Sequence, residues 1–178
     1  HTSNFRKVKR VEDVLKVFCE VRKVVPSKLL LIGDGPERKA MEDIARGICT
    51  EDIRFLGKLD AVEEVLSVSD LFLLTSEKES FGLAALEAMA CEVPVITSNA
   101  GGLPELNKQG VSGYSCDIGD IDTMVKHAIH ILDNANLDNF KKGALARAKE
   151  FDVENILPMY EKYYEEVLAK HKSLTESL

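Results

Sequence analysis

Long apolar runs and paired cysteines are missing from this sequence. No stretch approaches the roughly 20 apolar residues that cross a bilayer, so no membrane span is predicted. The four cysteines lie far apart and form no C-x-x-C pair, which indicates neither a redox motif nor a compact zinc site. We therefore expect reduced thiols and a cytoplasmic location.

Positive charge is also scarce. Lys and Arg number 23 against 30 Asp and Glu, so the formal net charge is -7. Nucleic acids and anionic membranes attract broad positive fields, so neither is expected as the main partner and any phosphate binding has to be local. The 178 residues, 45% of them hydrophobic, suit one globular domain with its own core. Because the sequence starts at His1 rather than Met, we expect it to be part of a longer protein.

Apolar runs alternate with amphipathic stretches along the chain. This pattern predicts an α/β fold, a Rossmann-like doubly wound parallel sheet with carboxyl-terminal helices. Strands are expected at 28–33, 53–57, 71–75, 93–97 and 113–116, with one more ending at Phe5, and helices at 11–25, 36–47, 121–132, 138–150 and 156–168. The sheet core then spans about 1–150, followed by a terminal helix at about 151–172 and a frayed tail at 173–178. Tyr160, Tyr163 and Tyr164 are expected to pack in a core rather than to bind a ligand.

Two carboxylates with E-x7-E spacing, Glu79 and Glu87, straddle the start of a predicted helix after an apolar run. A helix opening near Phe81 or Gly82 places backbone N–H groups and the positive end of its dipole at the carboxyl edge of the sheet, where anions bind. At about 1.5 Å per helical residue the carboxylates lie on the order of 9 Å apart, the span from hexose to ribose in a nucleotide-sugar. Taken alone, the pair is also compatible with the acid and base of a hydrolase.

Two further segments are predicted to reach the same edge. The turn Gly33-Asp34-Gly35-Pro36 allows close backbone approach to a ligand, although it also fits a plain strand-to-helix turn. The run Arg6-Lys7-Val8-Lys9-Arg10 precedes the first helix. Such a run is commonly a solvated face, but at this edge Arg6 and Lys9 are able to neutralise a diphosphate and its developing charge.

Other motifs carry less information. Gly57-Lys58-Leu59 either turns beneath a base or simply ends a strand, and the Gly101-Gly102 pair, expected to open a short helix, is compatible with phosphate or sugar contact. Asp120-Ile121-Asp122 spells the D-x-D of metal-dependent sugar transferases, but its place before a helix favours an N-cap. His127 and His130 lack a third ligand for a metal, so no metal site is predicted.

Together these motifs resemble the carboxyl-terminal, donor-binding half of retaining glycosyltransferases of family four, which have the GT-B fold. The resemblance covers nearly the whole chain and is carried by the Glu79/Glu87 pair, the turn at 33–36, Ala88-Met89-Ala90 running into Val93-Pro94-Val95, and Gly101-Gly102-Leu103-Pro104-Glu105. More narrowly, segments 3–10 and 76–82 resemble the bacterial N-acetylglucosaminyl L-malate synthases that begin bacillithiol biosynthesis.

The resemblance implies a role for each site residue. Glu79, Arg6 and Lys9 form the implied catalytic set: Glu79 would lie beside the donor sugar, and the two cations would stabilise UDP as it leaves. Glu87 would accept hydrogen bonds from the ribose hydroxyls. The other implied donor contacts come from Gly33, Gly35, Lys58, Leu59, Ser80, Phe81, Gly82 and Leu83. Neither a cofactor nor a metal is implied, because side chains and a helix N-terminus carry the charge.

The sequence departs from the family pattern in two ways. Glu92 stands where the family usually has a glycine suited to positive φ, so we expect a changed helix end without lost activity. The family binds its acceptor on an amino-terminal domain, which we expect to lie outside this sequence. The chain should therefore bind UDP-sugar weakly and not transfer it.

Three functions remain open at this stage. The intact enzyme would transfer N-acetylglucosamine from UDP-N-acetylglucosamine to L-malate with retention. The alternatives are hexose transfer to a lipid or polysaccharide acceptor and a nucleotide-binding module without catalysis. The terminal helices are expected to pack either on the acceptor domain or on a second copy of the chain.

Overall fold

The structure is a computed structural model that describes residues 1–48 and 52–175. Within these residues the strands are β1 (Leu29–Ile32), β2 (Ile53–Gly57), β3 (Phe72–Leu74), β4 (Val95–Ser98) and β5 (Gly113–Cys116). The α-helices are α1 (Val11–Arg22), α2 (Arg38–Ile48), α3 (Val62–Leu66), α4 (Leu83–Ala90), α5 (Leu103–Leu106), α6 (Ile121–Leu132), α7 (Asn134–Lys149) and α8 (Val153–Thr175). The predicted α/β class is confirmed. Helix α3 and a 3₁₀ turn at Lys7–Lys9 were not predicted.

All the strand pairs are parallel. β1 pairs with β2, and β3, β4 and β5 form a second group with β4 in the middle. Between the groups lies the amino-terminal segment, where Thr2 forms a parallel bridge with Ile32 and His1 Nδ1 lies 2.8 Å from the carbonyl oxygen of Leu73. The predicted strand ending at Phe5 is reduced to this bridge, because Phe5 takes a left-handed φ of 41° that turns the chain away from the sheet.

The core consists of two apolar clusters on these sheets. In the first, helix α1 presents its predicted apolar face to α6 and to β1; the buried side chains of α1 include Val14, Leu15, Phe18 and Val21. The second cluster places α4, α5 and α7 against β3 and β4. Because helices cover the sheets in this way, β1, β3 and β4 are buried nearly along their length, whereas β2 and β5 are only partly buried.

Helix ends differ from the predictions by a few residues. Helix α2 begins at Arg38 rather than at Pro36: Met41 N donates to the Glu37 carbonyl at 3.0 Å, and the Glu37 N–H donates outside the helix to the carbonyl of Phe5 at 2.8 Å. Helix α7 begins at Asn134, four residues earlier than predicted, because the Asp133 carboxylate caps it by accepting from Ala135 N. The predicted N-cap at Asp120 is confirmed: its carboxylate accepts from Thr123 N, and hydrogen bonding to the side chain and then the backbone of Thr123 lowers the pKa of that carboxyl.

Helix α8 corrects the expectation for the tyrosines. Tyr160, Tyr163 and Tyr164 are 58%, 62% and 61% exposed, so they lie in no core of the described chain. These side chains are exposed because no other described element packs over the side of α8 that carries them. The helix continues to Thr175, past the start of the predicted frayed tail, and residues 176–178 lie outside the described residues. Within the described ranges, no helix is long and apolar enough to cross a membrane.

Candidate functional site

The cationic turn (residues 6–10) and the loop after β3 (residues 75–82) lie side by side at the carboxyl ends of the strands. The backbone N–H of Glu77 donates to the carbonyl of Val8 at 2.7 Å. Strand β3 ends at Leu74, so the polar residues that follow it are delivered to the edge where parallel sheets bind ligands. The predicted convergence of the two segments is therefore present in the fold.

Lys9 and Glu79 meet at this edge. The Lys9 ammonium lies 2.6 Å from Glu79 Oε2, and their side chains are only 20% and 14% exposed. Ser76 Oγ approaches the same oxygen at 3.3 Å, a longer and weaker contact. Within the described residues Oε1 accepts no hydrogen bond, so this oxygen is available to a hydroxyl group of a ligand.

The loop after β4 holds the backbone of Glu79 in place. The N–H of Gly102 points to the Glu79 carbonyl at 3.4 Å. A Cβ atom on Gly101 would come within 1.7 Å of that carbonyl oxygen, and one on Gly102 would come within 2.5 Å of the carbonyl oxygen of Ser80. These glycines are needed for direct backbone packing, a requirement that the sequence pattern did not distinguish from ligand contact.

The turn at 33–36 shows the same close packing on the other side of the cationic turn. A Cβ on Gly33 would lie 1.8 Å from the backbone carbonyl oxygen of Ser3, and one on Gly35 would lie 1.8 Å from the backbone carbonyl oxygen of Asn4. Both glycines are thus explained by contact with the amino-terminal segment. Their role in donor binding stays a prediction.

Helix α4 opens as predicted. Gly82 is its N-cap with a φ of 99°, and a Cβ there would strike the Leu103 side chain at 2.4 Å. Within the described chain, the backbone N–H groups of Leu83 and Ala84 have no hydrogen-bond acceptor. They are therefore able to bind an anion at the positive end of the helix dipole. Phe81 lies beside them and packs edge-on against Phe151, with ring centroids 5.4 Å apart.

The remaining predicted residues are exposed. Arg6, Lys58, Leu59 and Glu87 are exposed, and the side chains of the three polar ones form no hydrogen bond or ion pair with the described residues. The structure therefore brings Lys9 to Glu79 and leaves the other charged groups accessible to a ligand.

Two buried polar contacts at the site were missed from the sequence. Arg10 Nε lies 2.6 Å from Oδ2 of Asp13, a residue that is 4% exposed, and Thr75 is fully buried with its hydroxyl on the carbonyls of the cationic turn. The available signals were the i,i+3 spacing of Arg10 and Asp13 and the pair of polar residues directly after the apolar strand β3.

Cys116 ends β5 at this edge and is buried. Burial, together with the carboxylates of Asp120 and Asp117, raises the pKa of the Cys116 thiol to about 11. At neutral pH this thiol is protonated and therefore a poor nucleophile. The described residues contain no group of three or more His, Cys, Asp or Glu side chains placed to hold a metal ion.

Comparison with known proteins identifies the family. Residues 1–146 match the family described as glycosyl transferases group 1. The chain belongs to this family. It is 46% identical over 177 residues to the N-acetyl-alpha-D-glucosaminyl L-malate synthase of Bacillus anthracis, a match that covers 97% of this chain and 46% of that enzyme. It is 29% identical over 149 residues to the sulfoquinovosyl transferase SQD2 of Arabidopsis thaliana, which covers 80% of this chain and 29% of that enzyme. The chain thus spans less than half the length of these relatives.

Solved structures of glycosyltransferases share the fold. The pneumococcal O-GlcNAc transferase GtfA, crystallised with UDP and GlcNAc, superimposes with a TM-score of 0.83 at 22% identity, covering 94% of this chain and 35% of GtfA. Anabaena Alr3699/HepE, crystallised with UDP-glucose, gives a TM-score of 0.78 at 24% identity, covering 93% of this chain and 48% of HepE. The GT-B half predicted from the sequence is therefore confirmed as the fold.

Proposed function

We propose that this chain is the donor-binding half of a retaining glycosyltransferase, which in the longer protein transfers N-acetylglucosamine from UDP-N-acetylglucosamine to L-malate. The observation that carries the proposal is the Lys9–Glu79 pair, held at the carboxyl edge of a group 1 glycosyltransferase sheet beside the start of α4. The 46% identity to the malate synthase supports the choice of substrates. The acceptor belongs to the proposal for the longer protein.

Each group at the edge has a part in holding the donor. Glu87 accepts hydrogen bonds from the ribose, and Glu79 accepts them from the sugar through Oε1. Arg6 and Lys9 bind the diphosphate together with the N–H groups at the start of α4. As the bond from the anomeric carbon to UDP breaks, negative charge grows on the diphosphate, and cations fixed in advance stabilise it without reorganisation. We propose no cofactor and no metal for this step.

The pairing of Glu79 also argues against a hydrolase. A hydrolase with paired carboxylates uses one of them to donate a proton and the other as a base or nucleophile. Here Glu79 faces the Lys9 ammonium at 2.6 Å, an arrangement suited to a charged acceptor, and Glu87 is exposed on a different element. This geometry suits two carboxylates that bind different parts of one long ligand better than it suits a general acid and a base.

Calorimetry with UDP and UDP-N-acetylglucosamine tests the proposal. Arg6→Ala and Glu87→Ala should each weaken UDP binding by about 10-fold, the loss of one charge-assisted contact. Lys7→Ala is the control for the first variant and Glu92→Ala for the second, since both side chains are exposed and charged near the same elements. Unchanged UDP affinity in both Arg6→Ala and Glu87→Ala would overturn the assignment.

A transfer assay tests whether this chain binds the donor without catalysing sugar transfer. We expect the 178-residue chain to bind the donor but to form no N-acetylglucosaminyl malate from UDP-N-acetylglucosamine and L-malate. Robust transfer by this chain alone would contradict the proposal. We also infer a cytoplasmic location, supported by the free thiols of Cys91 and Cys116.

A further inference from the structure

Thr75 connects the strand end of β3 to the cationic turn. It is fully buried, and its Oγ1 lies 2.9 Å from the carbonyl oxygen of Arg10 and 3.2 Å from that of Lys9. With the bond from Glu77 N to the Val8 carbonyl, three consecutive carbonyls of the turn, from 8 to 10, face donors from one segment of the chain. The turn is therefore held by hydrogen bonds from residues 75–77 as well as by hydrogen bonds within the turn.

The turn needs such an outside contact because it contains an unfavourable backbone conformation. Arg10 has φ 47° and ψ 46°, the left-handed region that side chains other than glycine disfavour. Its carbonyl also accepts from Asp13 N at 2.9 Å, but that contact lies within the same stretch of chain. The Thr75 hydroxyl fixes this carbonyl relative to the sheet.

The same loop also holds the other end of Lys9. Glu79 follows Thr75 by four residues, and its carboxylate binds the Lys9 ammonium at 2.6 Å. The backbone of Lys9 is thus set by Thr75 and its side chain by Glu79. We propose that Thr75 is a positioning residue, whose hydroxyl fixes the Lys9–Arg10 backbone so that the Lys9 ammonium reaches both Glu79 and the donor diphosphate. The diphosphate contact rests on the proposed function.

The chemistry of the residue supports a specific role for the hydroxyl. A fully buried position at the end of an apolar strand suits valine, which has the same shape as threonine. A buried hydroxyl is unfavourable unless it forms hydrogen bonds, and here its acceptors are the two carbonyls of the turn. Packing alone therefore does not account for threonine at this position.

The test is a double-mutant cycle on UDP affinity, measured by calorimetry on the 178-residue chain. Thr75→Val should weaken UDP binding by about 5- to 10-fold, whereas Thr75→Ser, which keeps the hydroxyl, should stay within about twofold of wild type. In a Lys9→Ala background, Thr75→Val should change the affinity by less than about twofold, because its effect passes through Lys9. A loss of equal size in both backgrounds would show a merely structural role and overturn the proposal.

Folding and the proposed function are controlled separately. Near-UV circular dichroism checks each variant, and if Thr75→Val does not fold, Thr75→Ala takes its place in the cycle, since it leaves room for a water molecule at the carbonyls. Failure of the wild-type chain to bind either UDP or UDP-N-acetylglucosamine would remove the proposed function and this inference together. Wild-type binding that Lys9→Ala weakens and the folded Thr75 variants do not would remove this inference alone.

Discussion

The ammonium of Lys9 lies 2.6 Å from Oε2 of Glu79, across 70 residues of sequence. This ion pair joins the cationic turn to the loop after β3, and it involves two of the three residues of the implied catalytic set, Glu79 and Lys9. A diphosphate that enters the site has to share the ammonium with the carboxylate. Donor binding therefore competes with Glu79 for Lys9.

Replacing Glu79 with Gln should reveal this competition. Without the carboxylate, the Lys9 charge is fully available, so we expect Glu79→Gln to bind UDP about threefold more tightly than wild type at low salt. The gain should shrink at high salt because screening weakens both interactions. UDP-N-acetylglucosamine should gain less than UDP, since the sugar loses its charged acceptor. Calorimetry at two salt concentrations measures all of these affinities.

Glu77→Gln is the matched control for this experiment. Glu77 is an exposed carboxylate in the same loop, and its side chain forms no ion pair among the described residues. Its removal lowers the negative charge by the same amount without releasing Lys9. Equal UDP affinities for the Glu79 and Glu77 variants would mean that the ion pair does not oppose binding.

A methyl group on Gly101 should disturb the site through the backbone of Glu79. Gly101 and Gly110 both have positive φ, 54° and 74°, so the left-handed backbone alone is expected to lower the free energy of unfolding by about 1 to 2 kcal/mol in either alanine variant, and the loss should be larger at Gly101 because its Cβ also meets backbone atoms. Only at Gly101 would the new Cβ also meet the Glu79 carbonyl, at 1.7 Å, whereas nothing lies within 4 Å at Gly110. Gly101→Ala should therefore also weaken UDP-N-acetylglucosamine binding, by about 10-fold.

Urea unfolding and calorimetry on both glycine variants separate the two effects. Gly110→Ala is expected to lose stability and to keep wild-type affinity for the donor. If both variants bind UDP-N-acetylglucosamine as wild type does, the loop after β4 does not position Glu79.

Several elements follow directly from local sequence. β2 at Ile53–Gly57, β5 at Gly113–Cys116 and α6 at Ile121–Leu132 match the predictions residue for residue, and α6 does so because it shows a clear helical apolar period after its N-cap. α3 was missed because Val62–Leu66 is too short to show such a period. The start of α2 lies two residues after the predicted one, and the residue before it, Glu37, contacts Phe5, which is distant in sequence.

The candidate site also has features that local sequence predicts and features that depend on long-range contacts. The spacing of Glu79, Gly82 and Glu87 indicated a helix start at a sheet edge, and the structure has it there. The pairing of Lys9 with Glu79 and the burial of the Thr75 hydroxyl depend on contacts across 70 and 66 residues. Local patterns report which residues reach an edge; the partner of each residue is set by the packing of the whole domain.

Glu92 should be replaceable by glycine with a gain in stability. It is exposed and has a φ of 62°, just beyond the end of α4, so it adopts the positive φ that suits the family's usual glycine, whereas a changed helix end was expected. Glycine adopts this conformation freely, although it also increases the freedom of the unfolded chain. We expect Glu92→Gly to raise the free energy of unfolding in urea by about 0.5 to 1 kcal/mol, with unchanged UDP affinity. Glu92→Ala keeps the Cβ and should show no gain; a less stable glycine variant would contradict the account.

Stability should fall in mild acid because of His127. Its ring stacks on Tyr114 with centroids 3.8 Å apart, and burial, followed by the charges of Lys126 and His130, lowers its pKa against the opposing effect of Asp120. The unfolded chain therefore binds a proton on this residue at a higher pH than the folded chain does. The free energy of unfolding is expected to decrease as the pH falls below about 6.5, the ordinary pKa of histidine. In urea unfolding at pH 7 and pH 5, His127→Gln should lose less stability than wild type. Identical losses in wild type and His127→Gln would rule out this residue as the source.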